Sequence, residues 1–78
     1  MIDFDETMGR FKLILSEKSE KKKILDKEIA LSLSLSPQYY AVIKRRKQIP
    51  YEALAYFCQS EKINLNWLLL AQDPKHLT

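Results

Sequence analysis

Hydrophobic residues recur along this chain at helical spacing, in about five packets separated by polar or proline-marked breaks. Phe4, Met8, Phe11 and Leu15 lie four, three and four residues apart, with Ile14 alongside, which predicts a helix from about Asp5 to Glu17. Asp3, Asp5 and Glu6 sit at its start, where carboxylates suit the positive end of a helix dipole. Gly9 inside it is either a weak point of about 1 kcal/mol against alanine or a place of close packing. SEKSEKKK (16–23) then reads as a solvated helix end and loop.

The second and third packets belong together. Ile29, Ala30 and Leu33 form the stripe of a short helix, with Asp26 as its N-cap. The stretch ALSLSLS (30–36) also alternates as a strand would, and a strand is the rival reading; the helical patterns on both sides favour a helix followed by the turn Leu33-Ser34-Leu35-Ser36. Ser36-Pro37 restarts the chain as a helix to about Lys47, because the Ser36 hydroxyl can accept from a first-turn N–H and Pro37 has none to leave unpaired. Tyr40 and Ile43 share the face that packs back on the preceding helix. Gln38, Val42 and Arg45 form the opposite stripe, with Tyr39 and Arg46 beside it.

Ile49-Pro50 stops that helix and starts another, with Pro50 in its first turn and Leu54, Phe57, Cys58 and Tyr51 on its apolar face. Asn64 is a good N-cap for the last helix, NLNWLLLAQ (64–72), which Asp73-Pro74 ends; Lys75 to Thr78 read as a frayed tail. This last helix is apolar on every side, and such helices are normally covered on every side. Trp67 and Leu68 are expected to close the core. Leu65, Leu69 and Gln72 are expected to meet a second copy, since two-fold pairing is the commonest assembly.

At 78 residues this is one domain, 1–78, and three prolines with a single glycine argue against an all-β protein. The expected fold is all-α, a compact bundle of about five short helices with a helix-turn-helix over about 26–46. One cysteine excludes an internal disulfide, and one histidine leaves no Cys/His zinc site, so no metal or other cofactor is expected. Cys58 reads as a small core residue and His76 as an incidental surface one. The acidic N-terminus is not a signal peptide, and no apolar run approaches the ~20 residues of a membrane span. The expected location is the cytoplasm, on the nucleoid when bound to DNA.

Charge sharpens the picture. The net charge is +3, a mild bias, but no acidic residue lies between Glu28 and Glu52, while Lys44, Arg45, Arg46 and Lys47 are consecutive. A helix that buries one face and offers an amide, a phenol and guanidinium groups on the other suits insertion into something polar and acidic. Double-stranded DNA is the expected partner, with Lys21, Lys22 and Lys23 as phosphate contacts at one margin. RNA binding lacks the usual exposed aromatic sheet or Gly-x-x-Gly loop. Enzymatic activity lacks a nucleophile–base pair, a carboxylate pair in an apolar pocket and a phosphate-cradling glycine loop. The alternative is a protein-interaction module that docks through the apolar last helix.

IPYEALAYFCQSEKINLNWLLLAQDP (49–74) resembles part of the N-terminal helix-turn-helix domain of phage CI-type repressors, in the wider lambda-repressor-like group: Ile-Pro, an amphipathic helix, an Asn-x-x-Trp-Leu-Leu start and a short closing helix. Ile29-Ala30, Leu33, Leu35, Tyr40 and Ile43 fall where the general pattern wants apolar residues, and Ala30 takes the small position at the helix crossing. The resemblance covers roughly 10 to 74. It departs where glycine is usual, at Ser34 and near Lys62 and Gln72, and a left-handed serine costs about 1–2 kcal/mol. An aliphatic also replaces the aromatic often found at Ile43. The resemblance implies that the Pro37 helix, about 37–47, is a recognition helix in the major groove. Gln38 would then read adenine, Tyr39 would meet a thymine methyl or give its hydroxyl to a phosphate, Val42 would meet a thymine methyl, and Arg45 would reach a guanine or a phosphate. Lys44, Arg46 and Lys47 would hold phosphates. It further implies a repressor acting as a dimer on a palindromic site. Many family members carry a second, C-terminal domain; a chain ending at Thr78 would have to pair through the five-helix unit itself.

Overall fold

The Asp3 carboxylate opens the first helix by accepting from the Glu6 backbone N–H at 2.8 Å. In the computed structural model, which describes residues 1–77, that helix is α1, Phe4–Ser19. Its stripe of Phe4, Met8, Phe11, Ile14 and Leu15 is buried, and Thr7 joins it as the one buried polar side chain among the described residues. The Thr7 hydroxyl has no hydrogen-bond partner there. Gly9 is not a site of close packing: a Cβ added there meets nothing within 4 Å.

Helix α2, Asp26–Ser32, is capped by the Leu25 backbone rather than by Asp26, which occupies the first helical position and turns its carboxylate to Lys44. Helix α3, Pro37–Arg46, begins as its residues dictate, with the Ser36 hydroxyl accepting from the Tyr39 N–H at 3.1 Å and Pro37 in the first turn. Residues 30–36 are helix and turn, not strand. Leu35 N–H returns to the Ala30 carbonyl at 2.8 Å and Ser34 N–H to Leu31 at 3.1 Å, so Ser34 takes the left-handed conformation at φ 58°. Ile29, Ala30 and Leu33 from α2 meet Tyr40 and Ile43 from α3 in the core.

Helix α4, Tyr51–Glu61, starts after Pro50, which is its cap rather than part of its first turn. Leu54 and Cys58 are buried and Phe57 is half-buried, its ring edge-on to Phe11 with centroids 4.8 Å apart. Tyr51, expected on that face, is half exposed. Helix α5 spans only Leu65–Leu70, with the Asn64 side chain accepting from the Asn66 N–H. Leu68 is fully buried, and Trp67 packs half-buried beside it.

The segment after Pro74 is not frayed. Asn64 N–H donates to Lys75, Leu77 N–H donates to Lys62, and Ile63 forms a bridge pair with His76. The Lys75 ammonium reaches Glu17 at 2.6 Å. Each of the five described helices is followed within two residues by a left-handed residue, Glu20, Ser34, Lys47, Lys62 and Ala71, and none of these is glycine; in α2 the cap Leu33 is right-handed and Ser34 follows it. Among the described residues no helix is long and apolar enough to cross a membrane.

Candidate nucleic-acid interface

Helix α3 is amphipathic in a way that divides its polar residues into two sets. At 3.6 residues per turn, Tyr40, Ile43, Lys44 and Lys47 stack on one side. Tyr40 and Ile43 are buried there against α2. Gln38, Val42 and Arg45 lie on the opposite side, flanked by Tyr39 and Arg46. Gln38, Arg45 and Arg46 are exposed, Tyr39 is 55% exposed and Val42 is partly covered. The structure therefore presents Gln38, Tyr39, Val42, Arg45 and Arg46 as one solvent-facing surface.

Lys44 and Lys47 are placed differently. The Lys44 ammonium lies 2.6 Å from Asp26 at the start of α2. The Lys47 ammonium is 2.9 Å from both carboxylate oxygens of Asp5 at the start of α1, and sits over the Phe4 ring at 5.8 Å. Among the described residues Arg45 and Arg46 have no carboxylate partner. Lys21 is paired with Glu28 at 3.2 Å, while Lys22 and Lys23 stand exposed in the loop with no carboxylate partner among the described residues.

Two further tyrosines lie beside the start of α3. Tyr39, Tyr51 and Tyr56, with Leu33, Leu35 and Pro50, line a hollow of about 430 Å³ between the α2–α3 turn and α4. Tyr51 and Tyr56 are more than half exposed. Tyr51 is expected on the apolar face of its helix and Tyr56 carries no expectation from the sequence; the tertiary arrangement exposes both next to Tyr39.

The buried titratable groups behave as packing groups. Burial pushes the Cys58 thiol up to about 11, so it is neutral and inert near pH 7. Burial, and secondarily the Asp26 charge, pushes the Tyr40 hydroxyl up to about 12. The Glu17 carboxyl is held below its ordinary value by the hydrogen bond from Lys75.

The residues expected at a dimer contact do not form one exposed patch. Leu65 and Leu69 are half-buried against the core, Gln72 is exposed, and Leu70, at 51%, is the most open apolar side chain of α5. Arg10, which carries no periodic signal, ties α1 to this helix: its guanidinium donates to the carbonyls of Leu68 at 2.7 Å and Leu69 at 3.1 Å. No family model, no curated protein and no solved structure matches this chain.

Proposed function

We propose that this chain binds double-stranded DNA sequence-specifically and regulates transcription, in the manner of the phage CI-type repressor domain that its residues resemble. One observation carries this: the outer face of a capped, core-anchored α3 gathers Gln38, Tyr39, Val42, Arg45 and Arg46 with no carboxylate among them. An amide can bond the adenine edge bidentately, a partly covered valine can meet a thymine methyl, and arginine can reach guanine or phosphate. Lys22 and Lys23 supply phosphate contacts at the margin. Pairing of two copies through α5, with Leu65, Leu69, Gln72 and the open Leu70 at the contact, would set two such faces on a palindromic site as a repressor dimer.

The test is fluorescence anisotropy of labelled random-sequence duplex across a salt series. The wild type should bind with log K falling steeply against log salt, and the Arg45→Ala/Arg46→Ala variant should bind more weakly with a flatter slope. No binding at low salt would remove DNA from consideration. A protein-docking role for α5 is the second reading, favoured by the exposure of Leu70. It expects Gln38 and Arg45 variants to keep function and the exposed Leu70→Asp to lose it, whereas Leu69→Asp would also disturb the core.

A further inference from the structure

The four consecutive cations at the end of α3 are not equivalent, and the geometry points to a division among them: Lys44 and Lys47 are positioning residues that pair α3 with the starts of α2 and α1 in solvent-exposed ion pairs, while Arg45 and Arg46 are the two of the four offered to DNA. This division rests on DNA binding by α3. It reassigns two residues that charge alone would class with their neighbours.

Helical phase and the pattern of ion pairing converge on it. Helical phase puts Lys44 and Lys47 on the same side as the buried Tyr40 and Ile43, away from Gln38, Val42 and Arg45. Each lysine is already matched: Lys44 to Asp26 at 2.6 Å, and Lys47 to both oxygens of Asp5 at 2.9 Å with the buried Phe4 ring beneath it. Finally, every Lys or Arg that pairs with a carboxylate among the described residues is a lysine, which leaves the guanidinium forks of Arg45 and Arg46 uncommitted.

The chemistry of salt dependence makes the division measurable. Binding to duplex releases counterions in proportion to the phosphates that protein cations neutralise. A lysine that remains on its aspartate neutralises no phosphate and adds nothing to the slope. What the pairs supply is orientation. Asp26 and Asp5 lie at the starts of two different helices, so the two exposed pairs together bias the seating of an α3 that Tyr40 and Ile43 already anchor by burial. Base reading by Gln38 depends on that seating, because a recognition side chain must be held to within roughly half an ångström.

The experiment measures anisotropy salt series on random duplex for Lys44→Ala, Lys47→Ala, Arg45→Ala and Arg46→Ala separately. It adds the charge-swapped pair Asp26→Lys/Lys44→Asp, and repeats each series on a site selected from random sequence. Arg45→Ala and Arg46→Ala should each flatten the log–log slope by up to about 0.9. Lys44→Ala and Lys47→Ala should leave the slope unchanged and reduce the preference for the selected site over random duplex. The swapped pair should restore that preference relative to Lys44→Asp alone. A lysine variant that flattens the slope as much as an arginine variant overturns the division while leaving DNA binding standing, and so does a swap that fails to rescue. If the wild type shows no salt-dependent binding, DNA recognition by α3 falls and this division falls with it. In the DNA-free protein, double-mutant cycles on Asp26/Lys44 and Asp5/Lys47 should show non-additive melting shifts of about 2 °C; strict additivity also overturns it.

Discussion

The first and last helices pack on each other, yet different things hold them in place. Helix α1 has sixteen residues, its own capping carboxylate and six buried side chains on a single face. Helix α5 has six residues, and only Leu68 is fully buried. A helix this short is far below the length at which helices persist alone in water, so its ends must be satisfied from outside. The Arg10 guanidinium from α1 supplies two donors to its last carbonyls. The Asn64 side chain caps its start and also donates to the carbonyls of Gln72 and Pro74. A long helix is thus specified by its own periodicity, and a short one by polar groups far away in sequence.

Three substitutions put that contrast to the test. Phe11→Ala removes a fully buried ring that touches Phe57, and should lower stability by about 3–5 kcal/mol. Chemical denaturation should show this as a loss of the whole fold. A loss below about 1 kcal/mol would mean that α1 is not the organising element, since typical ring truncations cost several times more. Arg10→Met keeps the aliphatic stem and removes the two donors, and should cost about 2 kcal/mol. Hydrogen exchange should accelerate first at the amides of α5; equal acceleration throughout α1 would show that the two helices open as one unit. Gly9→Ala has the smallest effect, a gain of about 1 kcal/mol, because the new methyl enters open space on a helix. A measured loss there would contradict the exposed position of that turn.

The same contrast explains what could be read from residues alone. The stripes of α1 and α2, the Ser36-Pro37 start of α3 and the Asn64 cap are local signals, and all appear in the structure. The two faces of α3 were legible for the same reason, since helical phase assigns Tyr40 and Ile43 inward and Gln38 and Val42 outward. Non-local pairing was not legible. Asp26 looked like a cap because its neighbours are helical, but its partner is Lys44, eighteen positions on. Lys75 to Thr78 read as a frayed tail because nothing near in sequence holds them, whereas Glu17, Lys62 and Asn64 hold Lys75 to Leu77, and Thr78 lies outside the described residues. The missing glycines were a readable anomaly, and Ser34, Lys62 and Ala71 indeed adopt the left-handed conformation that glycine favours.

Those helix ends have an evolutionary consequence. Each places a side chain where L-residues are disfavoured by roughly 1–2 kcal/mol. Five such sites lie at Glu20, Ser34, Lys47, Lys62 and Ala71. Part of each penalty would return on substitution by glycine, less the greater freedom glycine gives the unfolded chain. None of the five belongs to the outer face of α3 formed by Gln38, Tyr39, Val42, Arg45 and Arg46. The chain therefore keeps a reserve of single-step changes that could offset destabilising mutations on that face, letting its surface residues vary without first rebuilding the core.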